Sequence, residues 1–81
     1  MHKILIVDDE RVIADTLAVI LEQRRYESRA AYSAEEALEL IATWSPDLAI
    51  LDVILPRMNG IDLAILLKAE YPTCLVTLFS G

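Results

Sequence analysis

Three aspartates and one serine in this sequence stand directly after short apolar runs, and their residue types suit metal and phosphoryl chemistry. They are Asp8, Asp9, Asp52 and Ser80. Carboxylates provide the oxygen ligands that Mg²⁺ prefers, and the ion keeps water ligands that phosphate oxygens can replace. A carboxylate can also attack phosphorus and form an aspartyl phosphate. The pattern therefore predicts a site in which one aspartate is phosphorylated while the others hold the metal.

Four short apolar runs alternate with stretches of helical period, and this alternation predicts how the polar residues are brought together. Strands are predicted at residues 4–7, 28–32, 48–51 and 75–79, and helices at about 11–24, from 34 to 43 or 44, and 61–70. Strand–helix–strand repeats of this length form parallel sheets, and ligands bind such sheets at the carboxyl ends of the strands. The predicted fold class is α/β, a parallel sheet with flanking helices, beginning and ending with a strand.

The polarity of each run predicts its place in the sheet. Residues 48–51 are continuously apolar, which is typical of a central strand buried on both faces. Residues 28–32 include Arg29 and two alanines, and this mixed character favours an edge strand. Ser33 and Glu36 have the capping-box spacing that begins a helix.

Each polar residue also has an ordinary explanation when it is considered singly. An aspartate pair after a strand is most often a helix cap or a loop residue, Asp52 could be a turn residue, and Ser80 could simply end a strand. Turn chemistry does not explain why all of them occupy strand ends. Three crowded carboxylates repel one another unless a cation or protons offset their charge. The combined pattern favours a functional site.

Composition sets limits on the class of protein. The 81 residues are enough for one domain, residues 1–81, and 56% of them are hydrophobic. The formal charge of −6, from 13 acidic and 7 basic side chains, disfavours direct binding to nucleic acid. Cys74 has no cysteine partner and is interpreted as a buried packing residue. No run is long enough to span a membrane and no signal peptide is evident, so a cytoplasmic location is expected.

Three motifs resemble the signature blocks of bacterial response-regulator receiver domains. They are Ile-Leu-Ile-Val-Asp-Asp-Glu at residues 4–10, Pro-Asp-Leu-Ala-Ile-Leu-Asp at residues 46–52, and Leu-Pro-Arg-Met-Asn-Gly at residues 55–60. The resemblance implies that Asp52 is the phosphoacceptor in two-component signalling and takes its phosphoryl group from a sensor histidine kinase. It also implies that Mg²⁺ is held directly by Asp9, directly or through water by Asp8, and by Asp52 and the Ile54 backbone carbonyl. Ser80 matches the switch residue, whose hydroxyl would bind a phosphoryl oxygen.

The resemblance further implies a flavodoxin-like sheet with the strand order 2-1-3-4-5. The family has a fifth strand, two further helices, a lysine after strand five and an aromatic switch residue, and these have no counterpart in the 81 residues. Lys3 and Lys68 do not occupy the lysine position. An incomplete receiver fold leaves strand four, residues 75–79, as an open edge, and we expect apolar surface to be exposed, including faces of Ile4 and Ile6. Such surface predicts self-association of the chain as a two-fold dimer.

Alternative functions place different demands on the same residues. A haloacid-dehalogenase-like phosphatase requires a second aspartate, the general acid/base, two residues beyond the nucleophile. This chain has Ile54 at that position, so it is not expected to be an enzyme. A receiver-like interaction module that is never phosphorylated remains open, because the lysine is missing. Nucleotide binding has little support, since Gly60 and Gly81 do not form a glycine-rich phosphate loop.

Overall fold

A parallel sheet flanked by helices makes up the part of the chain that the computed structural model describes, residues 2–80. Its elements are β1 (Lys3–Val7), α1 (Arg11–Gln23), β2 (Glu27–Ala31), α2 (Ala34–Ile41), β3 (Leu48–Asp52), α3 (Gly60–Glu70) and β4 (Leu75–Phe79). The strand order is β2-β1-β3-β4, and each neighbouring pair is parallel. The predicted α/β class, the edge position of strand two and the central position of strand three are confirmed.

The two faces of the sheet carry separate cores. Leu5 and Val7 of β1 lie in the larger core, which includes buried residues of α2 and α3. Ile4 and Ile6 alternate with them and lie in the smaller core beneath α1. β1 is therefore apolar from Ile4 to Val7, because both of its faces are covered there.

The expectation that Ile4 and Ile6 present exposed apolar surface is wrong. Ile4 is 4% exposed and Ile6 is fully buried. Ala14 of α1 is also fully buried in this core, and its small side chain lets the helix approach the sheet closely. Exposed apolar surface lies instead on β4, where Leu75 is 66% exposed and Leu78 is 42% exposed.

Side-chain caps determine where two of the helices begin. The Ser33 side chain accepts a hydrogen bond from the Glu36 backbone N–H at 3.1 Å, as the sequence predicts. The Asn59 side chain accepts one from the Asp62 N–H at 2.9 Å, so α3 begins at Gly60, one residue earlier than predicted.

The second helix ends at Ile41, two to three residues earlier than the sequence predicts, and the chain then turns back toward β2. Trp44 is only 5% exposed. Its indole Nε1 donates a hydrogen bond to the Glu27 carboxylate at 2.8 Å, and the Arg29 guanidinium lies 4.9 Å from its ring centroid. Trp44 therefore closes the seam between β2 and α2 at the amino end of the sheet.

Gly60 lies against the end of β3 and controls how closely α3 approaches it. Its N–H donates to the Val53 carbonyl at 2.8 Å. A Cβ atom at this position would lie 2.0 Å from the Asp52 carbonyl oxygen, far inside van der Waals contact with backbone. Only glycine therefore allows the helix to start at this point.

We predict that Gly60→Ala lowers the free energy of unfolding by about 1–3 kcal/mol, because the loop between β3 and α3 must shift to admit the methyl group. Alanine in an ordinary helical position would instead stabilise the helix by about 1 kcal/mol relative to glycine. Urea unfolding measures both effects. Ala69→Gly, on the exposed side of α3, is the matched control and should cost about 1 kcal/mol. A Gly60→Ala chain at least as stable as the original would contradict the close contact.

Candidate functional site

Three carboxylates converge at the side of the sheet where the carboxyl ends of the parallel strands lie, which we call the carboxyl edge. β1 and β3 are parallel neighbours with Val7 in register with Leu51, so Asp8 and Asp52 end adjacent strands. Each of Asp8, Asp9 and Asp52 offers a carboxylate oxygen within 4.8 Å of the others. Asp8 is 1% exposed, Asp52 is 9% exposed and Asp9 is exposed to solvent. The predicted convergence of the three aspartates is thus present in the structure.

Backbone N–H groups fix the two buried carboxylates. Asp8 Oδ1 accepts a hydrogen bond from the Glu10 N–H at 2.9 Å, and Asp52 Oδ1 accepts one from the Ile54 N–H at 3.0 Å. In both cases the donor lies two residues further along the chain, which is the geometry of an Asx turn. The Asp8 N–H donates to the Ala31 carbonyl at 3.1 Å. Each carboxylate is therefore oriented by the loop that follows its own strand.

Burial and charge crowding make ionisation of Asp8 unfavourable. Burial raises the pKa of its carboxyl group, and the neighbouring Asp52 and Asp9 carboxylates raise it further, while the hydrogen bond from the Glu10 N–H acts in the opposite direction. A positive ion among the carboxylates would relieve this cost. The electrostatics therefore favour either a proton or a cation at this edge.

The donor set fits Mg²⁺. Mg²⁺ binds oxygen at about 2.0–2.1 Å in octahedral geometry, so ligands on opposite sides of the ion are about 4.2 Å apart. Carboxylate oxygens that all lie within 4.8 Å of one another are close enough to share one such ion. Oxygen ligands without histidine or thiolate favour a hard cation over zinc.

Two further predicted residues lie at the same edge of the sheet. Ile54 follows Asp52 by two residues, and its side chain is 69% exposed. Ser80 is exposed and comes directly after Phe79, which is in register with Asp52. Both positions agree with the predicted neighbourhood, although only the three aspartates form the carboxylate cluster.

Both lysines of the chain lie at the amino edge of the sheet, the side formed by the amino ends of the strands. Lys3 begins β1, and the Lys68 Nζ donates to the carbonyls of Pro72 at 3.2 Å and Cys74 at 3.0 Å, just before β4 begins. The prediction that neither lysine occupies the position of the receiver lysine is consistent with this placement. Cys74 itself is 3% exposed, which agrees with its interpretation as a packing residue.

Sequence reasoning did not identify a polar contact that ties α1 to the end of β2. The Tyr32 hydroxyl donates to the Asp15 carboxylate at 2.5 Å, and this bond raises the pKa of the tyrosine. The Arg11 guanidinium lies 4.0 Å from the Tyr32 ring centroid. The sequence offers no signal for this contact, because it depends on how α1 packs across the sheet.

Comparison with known proteins decides the family. The family described as "Response regulator receiver domain" matches residues 4–81. The chain belongs to the response-regulator receiver family. A receiver domain is a signalling module rather than an enzyme, which confirms the receiver interpretation of the sequence and disfavours the phosphatase alternative. Among residues 2–80, no helix is both long enough and apolar enough to cross a membrane.

Curated relatives contain this receiver segment within longer chains. The nitrogen assimilation regulatory protein NtrX of Azorhizobium caulinodans is 43% identical over 82 residues, which cover 99% of this chain and 18% of the relative. The regulatory protein VanR of Enterococcus faecium is 44% identical over 77 residues, covering 93% of this chain and 33% of the relative. The chain therefore spans only a fraction of the length of either regulator.

Solved structures confirm the receiver fold. NtrX from Brucella abortus, crystallised in complex with ADP, superimposes with a TM-score of 0.93 at 38% identity, covering all of this chain and 19% of that one. The response regulator TrrA from Thermotoga maritima, in complex with Mg²⁺-BeF, has a TM-score of 0.91 at 32% identity and covers 99% of this chain and 70% of that one. The residues described here contain strands one to four of the receiver sheet and lack the fifth.

We predict that Asp8→Asn stabilises the metal-free receiver segment near neutral pH. A pKa raised above 3.8 means that the folded chain binds this proton more tightly than the unfolded chain, so stability is lost as pH rises from 3.8 through the folded pKa. Asparagine removes that loss and keeps an oxygen for the Glu10 N–H. Urea unfolding in EDTA should show a gain at neutral pH that vanishes below pH 3.8.

The control for this prediction is Asp62→Asn, which makes the same change in charge at an exposed position of α3. It should not reproduce the pH-dependent gain. If the difference between Asp8→Asn and the original chain is the same at all pH values, charge crowding does not destabilise the site.

Proposed function

We propose that residues 1–81 form the phosphoacceptor part of a cytoplasmic response regulator, in which Asp52 accepts a phosphoryl group from the phosphohistidine of a sensor histidine kinase. The observation that carries this proposal is the group of three carboxylates within 4.8 Å at the end of the central strands. Asp52 is the last residue of β3, and its carboxylate accepts a hydrogen bond from the Ile54 N–H. A nucleophilic carboxylate is therefore oriented within the cluster of carboxylate oxygens.

The proposed transfer forms one bond and breaks one. An Asp52 carboxylate oxygen attacks phosphorus, the bond from phosphorus to the histidine nitrogen breaks, and that nitrogen keeps the electron pair. The Ile54 N–H holds the acceptor carboxylate in place, and the Ser80 hydroxyl donates a hydrogen bond to a phosphoryl oxygen. Mg²⁺, bound by Asp8, Asp9, Asp52 and the Ile54 carbonyl, would offset the negative charge of the carboxylates and phosphoryl oxygens.

Exposed apolar side chains around the site support a protein as the phosphoryl donor. Val12, three residues beyond Asp9, is 79% exposed, and Ile54 is 69% exposed. Apolar residues beside a polar site are typical of surfaces that contact other proteins. The related response regulator TrrA was crystallised in complex with Mg²⁺-BeF, which supports a role for Mg²⁺ in this proposal.

We predict that millimolar Mg²⁺ raises the thermal melting temperature of the chain, because the ion binds the folded site and relieves its charge crowding. The gain is about 1.4 kcal/mol when Mg²⁺ is at tenfold its dissociation constant. Asp9→Ala removes an exposed ligand and should abolish the response, whereas Asp62→Ala should keep it. Equal responses of these two variants would place the bound metal elsewhere.

We predict that acetyl phosphate phosphorylates the chain slowly, only with Mg²⁺ present, and only at Asp52. The rate is low because no lysine lies at this edge to stabilise the charge of the transition state. Intact-mass measurement detects the added phosphoryl group, and its loss in alkali identifies an acyl phosphate. Asp52→Asn should abolish the product, and Asp47→Asn, at the other edge, should not. A product that survives Asp52→Asn would refute the assignment.

A second candidate function is a receiver-like interaction module that acts without phosphorylation. The placement of both lysines at the amino edge favours it, since neither lysine lies beside the carboxylates to assist phosphoryl transfer. Absence of any Asp52 product after prolonged incubation with acetyl phosphate and Mg²⁺, in a chain that binds Mg²⁺ by the melting assay, would support this module over the phosphoacceptor.

A further inference from the structure

The loop between β3 and α3, residues 53–59, is fixed at its base but exposed at its tip. The Gly60 N–H donates to the Val53 carbonyl at 2.8 Å and so closes the two ends of the loop. Leu55 is 7% exposed and belongs to the larger core. The tip contains Arg57, which is exposed to solvent. The conformation of the tip therefore depends on contacts other than core packing.

Arg57 lies at the centre of a strained turn in this loop. The Met58 N–H donates to the Pro56 carbonyl at 2.8 Å, and a hydrogen bond across three residues defines a γ-turn. Arg57 has a φ of 69°, in the left-handed region that residues with a side chain rarely adopt. The γ-turn with positive φ is the rare and strained form. Such a conformation persists only where surrounding contacts hold it.

An ion pair between Arg57 and Glu35 of α2 is the contact available to hold this turn. The Arg57 Nη1 lies 3.8 Å from the Glu35 Oε2, and both residues line the cleft between the start of α2 and the loop. The other carboxylate oxygen, Glu35 Oε1, is shielded from solvent and has no hydrogen-bond partner among the described residues. A carboxylate that is partly removed from water gains more from a nearby cation than a fully solvated one does. The pair therefore draws the loop tip toward α2.

Stiff backbone connects the turn to the carboxylate site. The proline ring fixes φ of Pro56 and restricts Leu55, the residue before it, to extended conformations. Ile54 comes next along the chain, and its N–H donates to the Asp52 carboxylate at 3.0 Å. A change of conformation at Arg57 is therefore passed along the chain toward Ile54, because the two residues between them have little freedom to absorb it.

We propose that Arg57 is a positioning residue for the metal site, and that its ion pair with Glu35 holds the loop so that the Ile54 carbonyl is placed for Mg²⁺. This inference rests on the proposed function, which assigns the metal to the site. A direct effect of charge would have the opposite sign, because a cation near the site repels Mg²⁺. Loss of Arg57 therefore weakens Mg²⁺ binding if the arginine holds the loop, and strengthens it if the arginine contributes only its charge.

Calorimetric titration with Mg²⁺ separates these two effects. Arg57→Ala and Glu35→Gln should each weaken Mg²⁺ binding by about threefold, the size expected for one exposed ion pair. The double variant should bind no more weakly than either single variant, because both changes break the same contact. Arg57→Lys keeps the cation and should bind Mg²⁺ nearly as well as the original chain. Glu39→Gln removes one negative charge from an exposed position of α2 and should leave the affinity almost unchanged. Unchanged or tighter binding in Arg57→Ala would overturn the inference.

Amide hydrogen exchange in EDTA tests the ion pair without the metal. The protection factors of the Met58 N–H, which closes the γ-turn, and of the Ile54 N–H should fall about threefold in Arg57→Ala and in Glu35→Gln. Glu39→Gln should not change them. Unchanged protection of Ile54 in both variants would overturn the link between the turn and the site. An original chain that binds no Mg²⁺ would contradict the proposed function instead, and the exchange measurement would still decide whether the ion pair holds the loop.

Discussion

Mutual repulsion among carboxylates at one edge of the sheet is the constraint on which the rest of the structure depends. Separate, solvated aspartates would avoid this cost, yet Asp8 and Asp52 are almost completely buried at the ends of adjacent strands. The fold maintains the arrangement with backbone N–H groups aimed at both carboxylates and with strands whose apolar side chains are covered on both faces. Gly60 lets α3 pack against the end of β3, where a larger residue would displace the acceptor loop.

The convergence of the aspartates could be predicted from sequence because it follows from topology alone. Apolar runs that end in acidic residues, separated by helices, must align their carboxyl ends in a parallel sheet. The strand order came from the family resemblance, since periodicity does not distinguish one parallel order from another. The coverage of Ile4 and Ile6 could not be predicted, because it depends on the small volume of Ala14 in the helix above them. The contact of Gly60 with Asp52 likewise requires the path of the backbone.

The carboxyl and amino edges of the sheet differ in charge, and this difference places the carboxylate chemistry of the chain at one edge. Acidic groups gather at the carboxyl edge, while both lysines lie at the amino edge. Along the perpendicular direction, β2 carries charged residues and β4 carries none. The carboxylate chemistry of the chain is therefore confined to the end of the sheet that lies away from both lysines.

The seam closed by Trp44 has a consequence for spectroscopy. Trp44 is the single tryptophan of the chain, and its indole is buried with its N–H bonded to Glu27 at the amino end of the sheet. Its fluorescence therefore reports the packing of β2 against α2, at the end of the molecule opposite the aspartates. Emission from Trp44 would follow unfolding of the whole domain closely. Ion binding at the carboxyl edge would leave its emission wavelength and intensity almost unchanged.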